Sequence, residues 1–267
     1  MSIKLIAIDL DGTIVKAGTT QMEQVTVDTI RKAMDKGIKV CVATGRTYDS
    51  LLSIYKRLGL SSHIISTAGA TINDKDGNIL YKDYIAPEKI HRLFNYLNDN
   101  DMYGHVYQGK QFQYYDDREE FMAFATLYEK RSGLKSRLDE SILVRMDVKT
   151  PKAIIMTDLD KIEETKKQLR DAFPELSIRD SMTPYIEAFE HSASKGTALN
   201  ELVKIYGVKI EETMAIGDTG IDLCMIKEAG IGVAMGDSAQ EIRDAADYVT
   251  KDFDQHGAAY AIEKFCL

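Results

Sequence analysis

The 267-residue chain has few cysteines, no long apolar run and a deficit of positive charge. Its three cysteines, Cys41, Cys224 and Cys266, stand far apart and form no CxxC pair. That excludes a disulfide framework and a thiolate metal site, and predicts reduced, packed thiols in a cytoplasmic protein. No stretch approaches the ~18 uninterrupted apolar residues of a membrane span. Asp9 breaks the first apolar run too early for a secretory signal core. Lysine and arginine number 34 against 42 acidic residues, a net charge of −8. Neither nucleic acid nor an anionic membrane is therefore expected as a partner. Internal repeats and low-complexity tracts are also missing. What is present, 44% hydrophobic and 28% charged residues, is ordinary globular material sufficient for a core. The length suits one large domain or two smaller ones.

Short apolar runs of the length of buried parallel strands recur at 5–8 (LIAI), 39–43 (KVCVA), 63–66 (HIIS), 213–216 (TMAI) and 231–235 (IGVAM). Amphipathic segments closed by Gly37, Gly59 and Gly207 lie among them and predict helices. Strands alternating with such helices predict an α/β fold with a parallel sheet covered on both faces. The middle of the chain has another pattern. A hairpin over 71–85 with a DKDG turn leads to a helix at 87–98 and paired strands in MYGHVYQGKQFQYYDD. A charged helix near 119–131, the strand KAIIMTD, a helix over 161–173 and the strands LSIRDS and YIEAF follow. This order predicts an inserted α+β domain at 84–187, leaving 1–83 and 188–267 as the α/β domain.

Ligands of open parallel sheets bind at the carboxyl edge of the strands, so the residues after each run matter. LIAI is followed by Asp9-Leu10-Asp11-Gly12-Thr13, KVCVA by Thr44-Gly45-Arg46, and TMAI by Gly217-Asp218-Thr219-Gly220-Ile221-Asp222. Side chains two apart in an extended segment point the same way, so Asp9 and Asp11 are expected to share one site. Two adjacent carboxylates are costly unless a cation or a proton relieves them. Asp218 adds a third acid, and an oxygen-only donor set suits a hard cation, magnesium above all. Lys195 follows Ser194, a candidate helix N-cap. A lysine in the first turn opposes the helix dipole unless an anion is held there as well.

DLDGT at 9–13, TGR at 44–46, SKG at 194–196 and GDTGID at 217–222 resemble the four motifs of the haloacid dehalogenase (HAD) superfamily of phosphatases. Their order, the large α+β insertion and the tail AADYVT (245–250) resemble its Cof-type, subclass IIB members. The resemblance implies a Rossmann-like core with an inserted cap. It also implies magnesium-dependent hydrolysis of small phosphomonoesters, such as a sugar phosphate or phosphorylated cofactor, through an aspartyl-phosphate. Asp9 would be the nucleophile and Asp11 the acid and base. Thr44, Lys195 and the amides of Leu10 and Gly45 would hold the phosphoryl group, with Arg46 on the substrate side or in a structural ion pair. Asp9, the Asp11 carbonyl and Asp218 would bind Mg2+, steadied by Asp222. The family usually has asparagine where this chain has Ile221, Ala68 and Asp237. Two alternatives stay open: a phosphomutase of the same cap type, and a catalytically weakened phospholigand sensor.

Overall fold

The computed structural model describes residues 2–180 and 184–267. The chain forms two compact units, one of Met1–Lys82 with Ser194–Leu267 and one of Asp83–Ala193.

The first unit is built on five parallel strands in the order Tyr248–Val249, Ile231–Ala234, Thr213–Gly217, Leu5–Ile8 and Lys39–Val42. Leu5–Ile8 is an interior strand buried at all four positions, which is why its sequence is apolar without alternation. Ile6 and Ile8 pack on one side with Val27, Ile30 and Ala33 of the helix Gln24–Asp35 and with Ala258 and Ile262 of the helix Gly257–Cys266. Leu5 and Ala7 face the other side, among Ala198, Leu199 and Leu202 of the helix Lys195–Tyr206. Each large aliphatic side chain so buried contributes about 1.5–3 kcal/mol. Gly59 and Gly207 adopt left-handed conformations at the ends of their helices, as a closing glycine should.

A three-stranded antiparallel sheet, Ile64–Ser66, Thr71–Asn73 and Ile79–Lys82, joins this unit through a parallel bridge between Ala43 and Ile65. Its first two strands are linked by a buried turn in which Thr67, Ala68 and Gly69 all have positive φ, at 52°, 54° and 98°. Only glycine takes that region freely, and asparagine tolerates it better than alanine does. Position 68, where the family usually has asparagine, therefore carries alanine at a conformational cost of ~1–2 kcal/mol.

The second unit has a six-stranded sheet ordered Leu176–Asp180, Tyr185–Glu190, Ala153–Met156, Tyr103–Gln108, Gln111–Tyr114 and Lys135–Leu138. All neighbours are antiparallel except the last pair. The helices Pro87–Asp99, Glu119–Ser132 and Ile162–Ala172 complete an α+β unit with its own apolar core. Tyr185–Glu190 is paired along its length with Leu176–Asp180, so the unit runs on to Ala193 instead of stopping at 187. Ser181, the last residue of the expected strand LSIRDS, lies outside the described residues. Among the described residues, no helix is long and apolar enough to cross a membrane.

Candidate active site

The residues after three of the parallel strands and at the start of one helix supply the site. Asp9 directly follows Leu5–Ile8, its amide donating to the Ile216 carbonyl at 2.8 Å. Gly12 then turns the chain at φ +94°. Ser194 caps the helix Lys195–Tyr206, its hydroxyl accepting from the Thr197 amide at 3.0 Å. This places Lys195 in the first turn with no exposed surface.

Lys195 Nζ lies 2.5 Å from Asp9 Oδ1 and 2.5 Å from Asp222 Oδ1. Oxygens of Asp9, Asp218 and Asp222 lie within 4.8 Å of one another. Asp222 is fully buried and well supplied with donors. Its Oδ2 accepts from the amides of Asp218 (3.2 Å) and Thr219 (2.9 Å) and from the Thr219 hydroxyl (2.9 Å). Asp218 Oδ1 accepts from the Thr13 hydroxyl at 3.1 Å.

Three carboxylates thus surround one ammonium. Burial and the Asp222 charge push the pKa of Asp9 well above the usual carboxylate range, with Asp218 adding to the effect and Lys195 opposing it. Burial and Asp222 push Asp218 up to about 6. Burial alone would discharge Lys195, but the carboxylates of Asp222 and Asp9 outweigh it and hold its pKa above the normal lysine value. The ammonium stays charged and the acids carry the excess repulsion. An all-oxygen set with uncompensated negative charge fits a hard divalent cation.

Asp11 is elsewhere. Both its oxygens accept from the Arg46 guanidinium, Oδ2 from Nε at 2.8 Å and Oδ1 from Nη2 at 2.5 Å. Its carboxylate is not part of the acidic cluster. The strand ends at Ile8, and the acids whose oxygens come closest to Asp9 are supplied by the segment after Thr213–Gly217.

Thr44 is buried and its hydroxyl accepts the Arg46 amide at 3.1 Å. The positive-φ turn braces this segment: Ala68 N donates to Thr44 O at 2.9 Å and Thr67 N to Arg46 O at 2.8 Å. Gly69 lies so close to the Lys195 helix that a Cβ there would sit 2.1 Å from the Ser194 carbonyl oxygen. Leu10 is fully buried, and its carbonyl accepts from Ile14 and Val15. A Cβ at Gly45 would make ordinary contact with Ile221 Cδ1, at 3.7 Å, so an apolar group flanks this glycine where the family has a carboxamide. Asp237 is exposed and accepts from Phe253 N at 3.4 Å.

Thr13 and Thr219 were not singled out from the sequence as site residues. Thr13 falls inside DLDGT and Thr219 inside GDTGID, so motif membership was their only signal; their acceptors are visible only in three dimensions.

Gly12 gives a direct test of this packing. A Cβ there would lie 2.2 Å from Asp218 Oδ2, in a backbone conformation that disfavours side chains. Gly12→Ala is expected to displace Asp218 and to destabilise the fold by at least about 1–2 kcal/mol. Chemical denaturation measures the loss, and an unchanged midpoint would contradict the placement of Asp218.

A sequence model of the haloacid dehalogenase-like hydrolase family matches residues 6–262. The chain is 31% identical over 278 residues to the 5-amino-6-(5-phospho-D-ribitylamino)uracil phosphatase YcsE of Bacillus subtilis (strain 168), covering 100% of this chain and 97% of that protein. It is 28% identical over 286 residues to the phosphatase YwpJ of the same organism, covering 98% and 99%. The crystal structure of a haloacid dehalogenase-like hydrolase from Bacteroides thetaiotaomicron matches with a TM-score of 0.84 at 25% identity, over 98% of this chain and 99% of that one. With a family match running through nearly its whole length, and with the family's motifs gathered at one sheet edge, the chain belongs to the haloacid dehalogenase-like hydrolases.

Proposed function

We propose that this hydrolase is a magnesium-dependent phosphatase of small phosphomonoesters, working through an aspartyl-phosphate on Asp9. The observation that carries the reading is the Lys195 ammonium held 2.5 Å from Asp9 in a buried acidic cluster. An anion can approach the Asp9 carboxylate only where positive charge offsets the repulsion.

In this reading an oxygen of Asp9 attacks phosphorus in line with the leaving alcohol. Lys195 and the Thr44 hydroxyl bind the phosphoryl oxygens, helped by the amides of Leu10 and Gly45. Thr44 Oγ1 already accepts from the Arg46 amide, which directs its own proton toward another acceptor. Asp11 protonates the leaving oxygen and then takes a proton from the attacking water. Asp9, Asp218 and the Asp11 carbonyl would hold Mg2+, which supplies charge neutralisation at the phosphoryl oxygens. Asp222, whose oxygens already accept four hydrogen bonds, acts by orienting Lys195 and the Asp218 loop. Substrate choice is assigned to the inserted unit Asp83–Ala193. YcsE's name suggests phosphorylated ribityl compounds as the first substrates to try.

A panel of phosphate esters, including 5-amino-6-(5-phospho-D-ribitylamino)uracil, is expected to release inorganic phosphate only with magnesium present. Bound magnesium and phosphate without turnover of any ester would make the protein a phospholigand-binding module instead. An isomerised sugar phosphate would make it a mutase.

Magnesium is also expected to stabilise the fold in a pH-dependent way. Burial and the Asp222 charge raise Asp218 to about 6, above its ordinary carboxylate value. Its contribution in metal-free protein is therefore full below that ordinary value and is lost as pH rises through about 6. Asp9 shifts in the same direction. Millimolar magnesium should then raise Tm clearly more at pH 7.5 than at pH 5, as differential scanning fluorimetry would record. An equal rise at both values would argue against binding at these acids.

A further inference from the structure

We infer that Arg46 is the positioning residue for Asp11 and not a ligand of the substrate, an inference that rests on the phosphatase reading. Its guanidinium forms a two-pronged hydrogen bond to the carboxylate, Nε to Oδ2 and Nη2 to Oδ1. The same Nη2 donates to the Thr19 carbonyl at 3.3 Å, so one group spans two points of the segment after the first strand. The arginine backbone is itself pinned, its amide on the Thr44 hydroxyl and its carbonyl on the Thr67 amide. A short rigid path therefore runs from the buried turn at Thr67 through Arg46 to Asp11.

Stability alone is a poor account of this pair. The side chains are 25% and 36% exposed, and ion pairs at such positions contribute little to stability. Geometry is the better account. An aspartate past the end of its strand and just before a glycine turn has freedom to rotate, and a planar fork fixes its plane as a lysine could not. The fork occupies one lone pair on each oxygen, and a carboxylate has further lone pairs for a proton in transit.

The reaction shows where such placement matters. As the Asp9 oxygen bonds to phosphorus, the bond from phosphorus to the alcohol oxygen breaks and the proton carried by Asp11 passes to that oxygen. Asp11 then takes a proton from water, whose oxygen bonds to phosphorus and releases Asp9 and inorganic phosphate. A misplaced Asp11 penalises the first transfer in proportion to how much the leaving oxygen needs a proton. An alkoxide needs one, whereas nitrophenolate leaves without it.

The test compares kcat/KM, which reports phosphoryl transfer and not the later hydrolysis, for glycerol 3-phosphate and p-nitrophenyl phosphate with magnesium. Arg46→Gln is expected to lower the value for the alkyl ester by about 100-fold and that for the nitrophenyl ester by less than about fivefold. Competitive inhibition by inorganic phosphate should stay the same. Arg46→Lys, which keeps the charge and loses the fork, should fall between. In an Asp11→Asn background Arg46→Gln should add nothing, because both changes disable one function. Equal losses on the two esters with weaker phosphate inhibition would overturn the inference and make Arg46 a substrate ligand. Additive losses in the double variant would overturn it as well. A wild-type protein idle on every ester of the panel would remove the phosphatase reading, and this inference with it.

Discussion

The Asp9→Asn variant is expected to lose at least about 10⁴-fold in kcat while gaining stability in metal-free buffer. The amide keeps the shape of the side chain but is a poor nucleophile, and losses of about 10⁶-fold are known for nucleophile removal elsewhere. The stability gain has a separate cause. Asp9 is one of three carboxylates around the single Lys195 ammonium, and burial with the Asp222 charge already drives its pKa upward. Neutralising it removes repulsion while Lys195 keeps Asp222 at 2.5 Å. A Tm higher by a few degrees at pH 7.5 without magnesium, together with collapsed turnover, is the joint signature. Retained turnover on any phosphate ester would mean that another group attacks phosphorus.

Lys195→Met should do the opposite to the fold. The methionine fills much of the same space but leaves Asp9 and Asp222 facing each other without a cation. Removing one partner of a buried pair costs about 3–5 kcal/mol. The pH dependence identifies the cause. Lysine itself contributes evenly between pH 5 and 9, because its folded pKa is raised and the stabilisation it gives fades only as pH climbs through that value. The carboxylates left behind have raised pKa values, so the variant weakens as pH rises and recovers part of the loss near pH 5. Urea unfolding at the two pH values reads this directly. A deficit of equal size at both would point to lost packing instead of stranded charge.

The two units differ in how openly the sequence shows them. LIAI, and VCV and MAI after their polar first residues, are apolar without alternation because both faces of a parallel sheet are covered, and such runs are easy to find. The strand Lys135–Leu138 went unrecognised. It reads KSRL, is mostly exposed at the sheet's edge, and is held by backbone pairing to Gln111–Tyr114. A strand stabilised in that way leaves little trace in side-chain pattern. Tyr103, Tyr107, Tyr114 and Tyr115 are all buried and pack in the core of the second unit.

At the site, position along the chain located Asp9, Thr44, Lys195 and Asp218 at strand and helix ends. It did not give their partners. That Asp11 faces Arg46, and that Asp222 joins the acids near Asp9, depends on a turn at Gly12 and on the loop after Gly217. Such facts are tertiary. The turn at Thr67 to Gly69 is the clearest case, since neither Thr67 nor Ala68 advertises a left-handed conformation.

The sheet order also bears on how the chain emerges from the ribosome. Ile8 finds its first neighbour, Val42, about 30 residues later in the chain, and its second, Ile216, only about 200 residues after itself. Until then this future interior strand is an edge, apolar and half paired. The nascent strand is therefore a natural client for a holding chaperone, and slow elongation would lengthen its exposure to self-association.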